Sequence, residues 1–380
     1  MTGGSDRIPL AEPELSGNEK RYVQECLETG YVSSVGPFVD RFEREFAESI
    51  GGAHTVACAS GTAALHVALR LAGAGTGSLV AVSTLTFIAS ANAAAYTGAD
   101  LWLVDSEPRT WNMDTHLLHD EVVRAARAGR RFPDVVEVVH LLGHPADIEP
   151  LLDLRERFGV RIVEDAAEAL GAGWSAGPLA GRHVGTVGDY GCFSFNGNKM
   201  ITSGGGGMIT TADGRAAAKA RHLTTQARLP ERGYWHDEVG YNYRMTNVAA
   251  AIGLAQLEQL PKKLAAKQRI AARYNARLEQ LAVELCPHEP WATPSHWIYS
   301  ILTSEPDPLI DALAEKNIEA RRLWPPVHRQ PPYLSSHRLG RGVADSLYQR
   351  AVSLPSSVHL SEIDQDRVLH EVVQTVNRSR

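Results

Sequence analysis

Cysteine is scarce in this chain. The four present, Cys26, Cys58, Cys192 and Cys286, lie far apart and form no CxxC pair. That argues against a disulfide framework or a zinc site, and reduced thiols in a cytoplasmic protein are the simplest reading. A basic excess is also missing. Thirty-eight Lys and Arg stand against 44 Asp and Glu, a formal charge of −6. Nothing draws the whole molecule to nucleic acid, so any phosphate binding must be local. Long apolar runs are absent too. The longest are strand-sized and none approaches a bilayer span, while the opening MTGGSDRIPLAEPE lacks the apolar core of a signal peptide. There is no internal repeat and no low-complexity tail. The expectation is a soluble protein with neither a membrane nor a nucleic-acid partner.

What is present is enough chain, 380 residues with 44% hydrophobic, for a large domain with a smaller one attached. Two amphipathic helices are predicted at Gly17–Glu28 and Pro37–Ile50, around a turn-rich Gly30–Gly36. Strands are then predicted at Thr55–Ala59, Ser78–Ser83, Leu101–Val104, Val135–Leu141 and Val160–Val163. Helices at Thr62–Leu71, Ile88–Tyr96, Thr115–Ala126 and Ile148–Phe158 alternate with them. Short Val- and Ile-rich runs between helices indicate an α/β fold with a mostly parallel central sheet covered on both faces. Such sheets bind ligands at the carboxyl ends of their strands. A long helical pattern from Asn247 to Leu281, interrupted at Pro261, marks the domain change. Residues 1–250 are read as the large domain, and 251–380 as a linking helix and a smaller C-terminal α/β domain.

Three segments carry chemistry. Ser194-Phe-Asn-Gly-Asn-Lys199 precedes four consecutive glycines, Gly204 to Gly207, which permit close backbone approach to an anion or a cofactor. Lys199 alone could be a surface charge. Placed after an apolar strand among small residues it would be desolvated, which lowers a lysine pKa and frees the amine as nucleophile or base. Arg161-Ile-Val-Glu-Asp165 is an apolar strand ending in an acid, suited to sit beside the ring nitrogen of pyridoxal phosphate. By itself Asp165 is equally a helix N-cap. An acid and a lysine both at strand ends favour the cofactor. Ser60-Gly61-Thr62 ends a strand and opens a helix, offering N–H groups and a helix dipole to a phosphate, or merely an ordinary capped turn.

Other patterns read more blandly. Gly171-Ala-Gly173-Trp-Ser-Ala-Gly177 has the wrong final spacing for a dinucleotide fingerprint. His140 and His144 are separated by helix-breaking Gly143 and are expected to be structural, so no metal site is expected. Arg321–Tyr333 mixes Arg, Trp, His and Pro and is either a solvated loop or a rim that stacks and hydrogen-bonds a ligand.

The blocks SGTAALHVAL, TLTFIASANA, VEDAAEALGA, GCFSFNGNKMITSGGGGMI and GYNYRMTNVAAAIG, in this order and spacing, resemble the DegT/DnrJ/StrS family of sugar aminotransferases over nearly the whole chain. The resemblance implies the aspartate-aminotransferase-like fold (type I of the pyridoxal-phosphate enzymes) and a homodimer with shared active sites. It implies Lys199 as the Schiff-base lysine and catalytic acid–base, Asp165 on the pyridine nitrogen, and Phe87 on the cofactor ring. Gly61, Thr62 and Ser194 would hold the phosphate, with Asn242 reaching the neighbouring subunit's phosphate. Many relatives carry Gln at the place of Glu168, so this carboxylate is expected on the cofactor's phenolic oxygen or on the sugar. Trp324 and His328 are expected on the substrate.

Details around Glu168, Gly204–Gly207 and Arg322-Leu-Trp324 are similar to the branch that aminates UDP-linked 2-acetamido-4-keto-6-deoxy sugars of the bacillosamine type. The implied reaction moves an amino group from L-glutamate to C4 of such a nucleotide-linked keto-sugar. The alternatives are TDP- or GDP-linked keto-sugars, a cyclitol, or a regulatory homologue without catalysis. Relatives that deoxygenate sugars carry histidine at the lysine position, and Lys199 argues against them.

Overall fold

The computed structural model describes residues 7–378, so the first six residues of the segment read for a leader lie outside the described residues. An eight-stranded sheet forms the centre: β1 His54–Cys58, β2 Leu79–Ser83, β3 Asp100–Val104, β4 Val135–Val139, β5 Arg161–Asp165, β6 Tyr190–Ser194, β7 Gly207–Thr211 and β8 His337–Leu339. Their spatial order is β1-β7-β6-β5-β4-β2-β3-β8. β7 runs antiparallel to both its neighbours, and every other adjacent pair is parallel. β2, β4 and β7 are buried along their whole length, as expected of strands with both faces covered by helices. No helix among the described residues is long and apolar enough to cross a membrane.

Several predicted boundaries shift for local reasons. β4 stops at Val139 rather than Leu141, because side chains take over from the ladder. Asn112 Oδ1 accepts the Leu141 N–H at 2.7 Å and Glu168 Oε2 accepts the Leu142 N–H at 2.7 Å. Leu142 itself turns left-handed, with φ 55°. β5 runs on to Asp165, and short turns rather than a helix follow it. The helix-cap reading of Asp165 therefore fails. The long helical pattern divides into Asn247–Leu257 and Leu260–Leu278, with Pro261 inside the first turn of the second helix, where its missing N–H costs nothing.

The C-terminal part has its own three-stranded sheet. Tyr299–Leu302 and Arg321–Arg322 flank Ala351–Leu354, both antiparallel to it. Ile270, Tyr274, Leu309, Val352 and Val368 build a separate core there. Two pairings cross the expected boundary at residue 250. Ile8 bridges Ile318 and joins the smaller core, while β8 leaves the C-terminal part to pair with β3. That pairing covers what would otherwise be an open sheet edge with unpaired backbone groups.

Candidate active site

The carboxyl ends of β1, β2, β5 and β6 converge on one cavity of about 370 Å³, whose lining includes Gly61, Thr62, Phe87, Asp165, Glu168, Ser194, Lys199, Trp297, Arg321 and Trp324. At one end lies the first turn of the helix Gly61–Leu71. The Ser60 hydroxyl caps it by accepting the Ala63 N–H at 3.0 Å, which leaves the Gly61 and Thr62 N–H groups at the positive helix end without an intrahelical partner. Ser194, the last residue of β6, closes over Gly61 so tightly that a Cβ at 61 would fall 2.7 Å from the Ser194 Cβ. A Cβ at Gly207 would likewise meet the Ser60 carbonyl oxygen at 2.5 Å. Two glycines thus let three chain segments meet in a cradle of N–H and hydroxyl donors, the chemistry a phosphate requires.

Asp165 lies deeper and is buried. Its Oδ2 accepts from the Ser90 hydroxyl at 2.8 Å and its Oδ1 from the Ala167 N–H at 3.0 Å. The Ser90 hydroxyl is also 2.8 Å from Thr86 Oγ1. Burial pushes the Asp165 carboxyl up, against the pull of these hydrogen bonds and of the Lys199 charge. A buried carboxylate held in this way is a partner for a cationic ring nitrogen. Phe87 borders the same cavity and is 51% exposed, so its ring is open to a flat ligand in the cavity.

Lys199 sits between them, its Nζ 3.8 Å from the Trp297 ring centroid and 3.9 Å from Glu168 Oε1. Burial lowers the Lys199 pKa, with Glu168 and Asp165 pulling it back. Glu168 is pushed up to about 7, first by burial and against the Lys199 charge and the Leu142 N–H. The Trp297 indole N–H donates to the Asn198 carbonyl at 2.6 Å, fixing the ring under the lysine. Trp324 stacks on Trp297 with centroids 6.2 Å apart and planes at 9°, and meets Phe87 edge-on at 6.3 Å.

Of the residues expected in the site, eight line this cavity: Gly61, Thr62, Phe87, Asp165, Glu168, Ser194, Lys199 and Trp324. Asn242 does not. It lies in a segment beside Thr225, where its Oδ1 accepts from Gln226 Nε2 at 2.9 Å. His328, expected on the substrate, also lies outside this lining, with its ring nitrogens within hydrogen-bond distance of Thr84 and Asp345. Sequence reasoning passed over Ser90 and Thr86, although both lie in the TLTFIASANA block. It also passed over Trp297, whose neighbourhood carries no local signal. His140 proves structural: its ring is 3.0 Å from Glu164 and accepts the Ala146 N–H.

An acid fixed at one end of the cavity and a desolvated amine beside it, with N–H and hydroxyl donors placed for a phosphate, suit pyridoxal 5′-phosphate. The chain belongs to the DegT/DnrJ/EryC1/StrS aminotransferase family, whose sequence profile matches residues 13–373. It is 41% identical to the GDP-perosamine synthase of Caulobacter vibrioides over 97% of this chain and 98% of that one. It is 40% identical to the GDP-perosamine synthase of Escherichia coli O157:H7 over 93% and 94%. A DegT DnrJ EryC1 StrS aminotransferase from Brucella abortus superposes with a TM-score of 0.89, at 30% identity, over 94% of this chain and 95% of that one. The protein is thus a sugar aminotransferase of the nucleotide-sugar type, and its cofactor is pyridoxal 5′-phosphate.

Proposed function

We propose that this enzyme transfers an amino group from L-glutamate to C4 of a GDP-linked 4-keto-6-deoxy sugar, in two half-reactions at one cleft. The observation that carries the reading is the placing of Lys199 and Asp165 in one cavity beneath an aromatic wall of Trp297 and Trp324. The resemblance of sequence blocks pointed to a UDP-linked 2-acetamido sugar. The two relatives described above carry the name GDP-perosamine synthase, which favours guanosine over uridine.

Gly61, Thr62 and Ser194 would hold the cofactor phosphate, Asp165 the ring nitrogen, and Phe87 one ring face. Bound pyridoxal phosphate supplies an electrophilic carbon and an electron-withdrawing ring. In each half-reaction the Lys199 amine takes a proton from one carbon and returns it to another, from the donor Cα to the cofactor C4′ and then back toward the sugar C4. Its lowered pKa raises the fraction able to accept that proton. Asp165 holds the proton at the ring nitrogen, and Ser90 keeps the carboxylate aimed there. Glu168 shares the neighbourhood of the Lys199 amine and is proposed to face the phenolic oxygen.

A homodimer with shared sites is part of the proposal. Asn242 stands outside its own cleft, and the segment leading to it exposes Tyr234 (89%), Trp235 (61%) and Val239 (84%), side chains that a second copy would cover. Asn242 is then assigned to the partner's phosphate. The four cysteines are unpaired, which fits a reducing compartment, and the cytoplasm is the proposed location.

The test is spectroscopic. The yellow holoenzyme should bleach with L-glutamate and regain its colour with a GDP-linked 4-keto-6-deoxy sugar. Recovery with the UDP-linked 2-acetamido sugar alone would reject guanosine. A Lys199→Ala protein that turned over at the wild-type rate would reject the mechanism, since a fall of roughly 10³-fold or more is expected.

A further inference from the structure

The arm that carries Trp324 originates in the smaller sheet at Arg321–Arg322 and crosses to the large one, where it forms β8 and the turn that follows it. It is fastened to the large domain at three places. Tyr333 donates its hydroxyl to Asn92 Oδ1 at 2.5 Å. Asp105, just beyond β3, accepts the N–H groups of Arg341, Gly342, Val343 and Ala344 at 2.6 to 3.1 Å. The third fastening lies three residues from Trp324. Here the Val327 N–H donates to the Thr84 carbonyl at 2.7 Å. His328 Nδ1 lies 2.7 Å from Thr84 Oγ1, and its Nε2 lies 3.1 and 3.2 Å from the two Asp345 oxygens.

The partners assign the proton. Asp345 accepts only, so Nε2 carries the hydrogen, and Nδ1 accepts from the threonine hydroxyl. A neutral imidazole satisfies both bonds at once. Burial lowers the His328 pKa, followed by the charge of Arg338, against the opposing pull of Asp345. Asp345 also receives Arg329 and Arg338, so the carboxylate is held from several sides. The order Thr–His–Asp has the look of a nucleophile relay, but Thr84 is only 1% exposed and does not border the cavity. No substrate reaches its hydroxyl.

What the strut connects is the useful point. Thr84 is the first residue after β2, and the next turn of chain supplies Thr86, Phe87 and Ser90, which border the cofactor cavity and hold Asp165. His328 therefore ties the Trp324 arm to the same strand end that presents the cofactor contacts. We propose that His328 is a positioning residue, which through Thr84 and Asp345 holds Trp324 as the aromatic wall against which the sugar substrate packs. The inference rests on the nucleotide-sugar reading for its substrate. Its geometric half, that His328 fixes Trp324, does not depend on it.

The consequence is an unequal effect on the two half-reactions. A small amino-acid donor reaches Lys199 without needing the wall, whereas a bulky nucleotide-sugar loses a stacking surface, an interaction of the order that changes affinity about tenfold. His328→Leu removes both bonds, Thr84→Val removes one while keeping the side-chain shape, and His328→Gln keeps an acceptor and a donor. Each holoenzyme would be bleached with L-glutamate and restored with the GDP-linked keto-sugar, and quenching of tryptophan emission by acrylamide would be measured with and without Trp324→Phe.

His328→Leu and Thr84→Val should raise the half-saturating keto-sugar concentration about tenfold, with the glutamate half-reaction within about twofold of wild type and recovery in His328→Gln. Acrylamide quenching should increase, and the increase should vanish when Trp324 is replaced. Equal losses in both half-reactions with a lowered melting temperature would overturn the proposal, leaving His328 a general stabiliser. Unchanged quenching would overturn it as well. If the wild-type enzyme accepts no keto-sugar, the nucleotide-sugar reading falls, and the acrylamide comparison still decides whether His328 holds Trp324.

Discussion

Ser90 donates its hydroxyl hydrogen to Asp165 Oδ2 at 2.8 Å, and this bond joins the first turn of the helix Ala89–Tyr96 to the end of β5, 75 residues further along the chain. It fixes which way a buried acid points. An acid pairing with a ring nitrogen acts through its direction, because charge-assisted hydrogen bonds weaken steeply when bent.

Ser90→Ala should therefore lower turnover without removing the cofactor. A hydrogen bond to a charged group is worth about 1.5 kcal/mol or more, so kcat is expected to fall roughly tenfold while the cofactor's absorption band persists. Steady-state kinetics and a spectrum of the same sample check this. A variant as fast as wild type would show that Ala167 alone suffices to orient the acid.

Gly61→Ala should strike the cofactor instead. The new Cβ would fall 2.7 Å from the Ser194 Cβ and 3.1 Å from its Oγ, pushing apart the two elements that form the phosphate cradle. Affinity for pyridoxal phosphate is expected to drop by about tenfold or more, measured by titrating apoenzyme and following absorbance. Unaltered affinity would place the phosphate elsewhere.

Glu168 predicts a pH dependence of stability. Its folded-state pKa is raised from 4.5 to about 7, chiefly by burial, so between these values the folded protein binds more protons than the unfolded one. Stability from this group is complete below about 4.5 and is lost as pH rises through about 7. Glu168→Gln cannot titrate, yet it can still accept the Leu142 N–H. Relative to wild-type apoenzyme it should gain stability across that interval, by up to roughly 3 kcal/mol, read from urea unfolding at several pH values. A pH-independent difference would contradict the burial argument.

Glu137 offers a stability prediction away from the chemistry. It lies on β4, fully buried, and neither carboxyl oxygen has a hydrogen-bond partner among the described residues. Burial, with the charge of Asp165 added, pushes its carboxyl well above the usual carboxylate range. Glu137→Met keeps much of the shape and removes two unsatisfied polar atoms, so the protein should be stabilised by about 1–3 kcal/mol, measured by denaturant unfolding. Destabilisation would mean that the carboxyl has a partner in the working enzyme.

Much of this protein was legible in its sequence because the information is local. Runs such as Val135–Val139 and Leu79–Ser83 announce buried strands by composition, and Ser60-Gly61-Thr62 announces a helix start by its cap. Lys199 and Asp165 were visible because each follows an apolar strand, at the edge where an α/β sheet binds ligands. Pairings across the expected boundary at 250 were not legible, since neither the bridge of Ile8 to Ile318 nor the addition of β8 to β3 leaves a mark in local periodicity.

The sequence alone, then, determined the strand–helix alternation and the motifs that carry the proposed catalytic residues Lys199 and Asp165, all set by residue type and short spacing. Only the tertiary structure decided the rest. Trp297, 98 residues from Lys199 along the chain, comes to lie against its amine. His328 is brought between Thr84 and Asp345, residues 244 and 17 positions away along the chain. Asn242 stays outside its own cleft. Contacts across such separations arise from packing and long-range pairing, which depend on how distant segments fill one core and which no local pattern encodes.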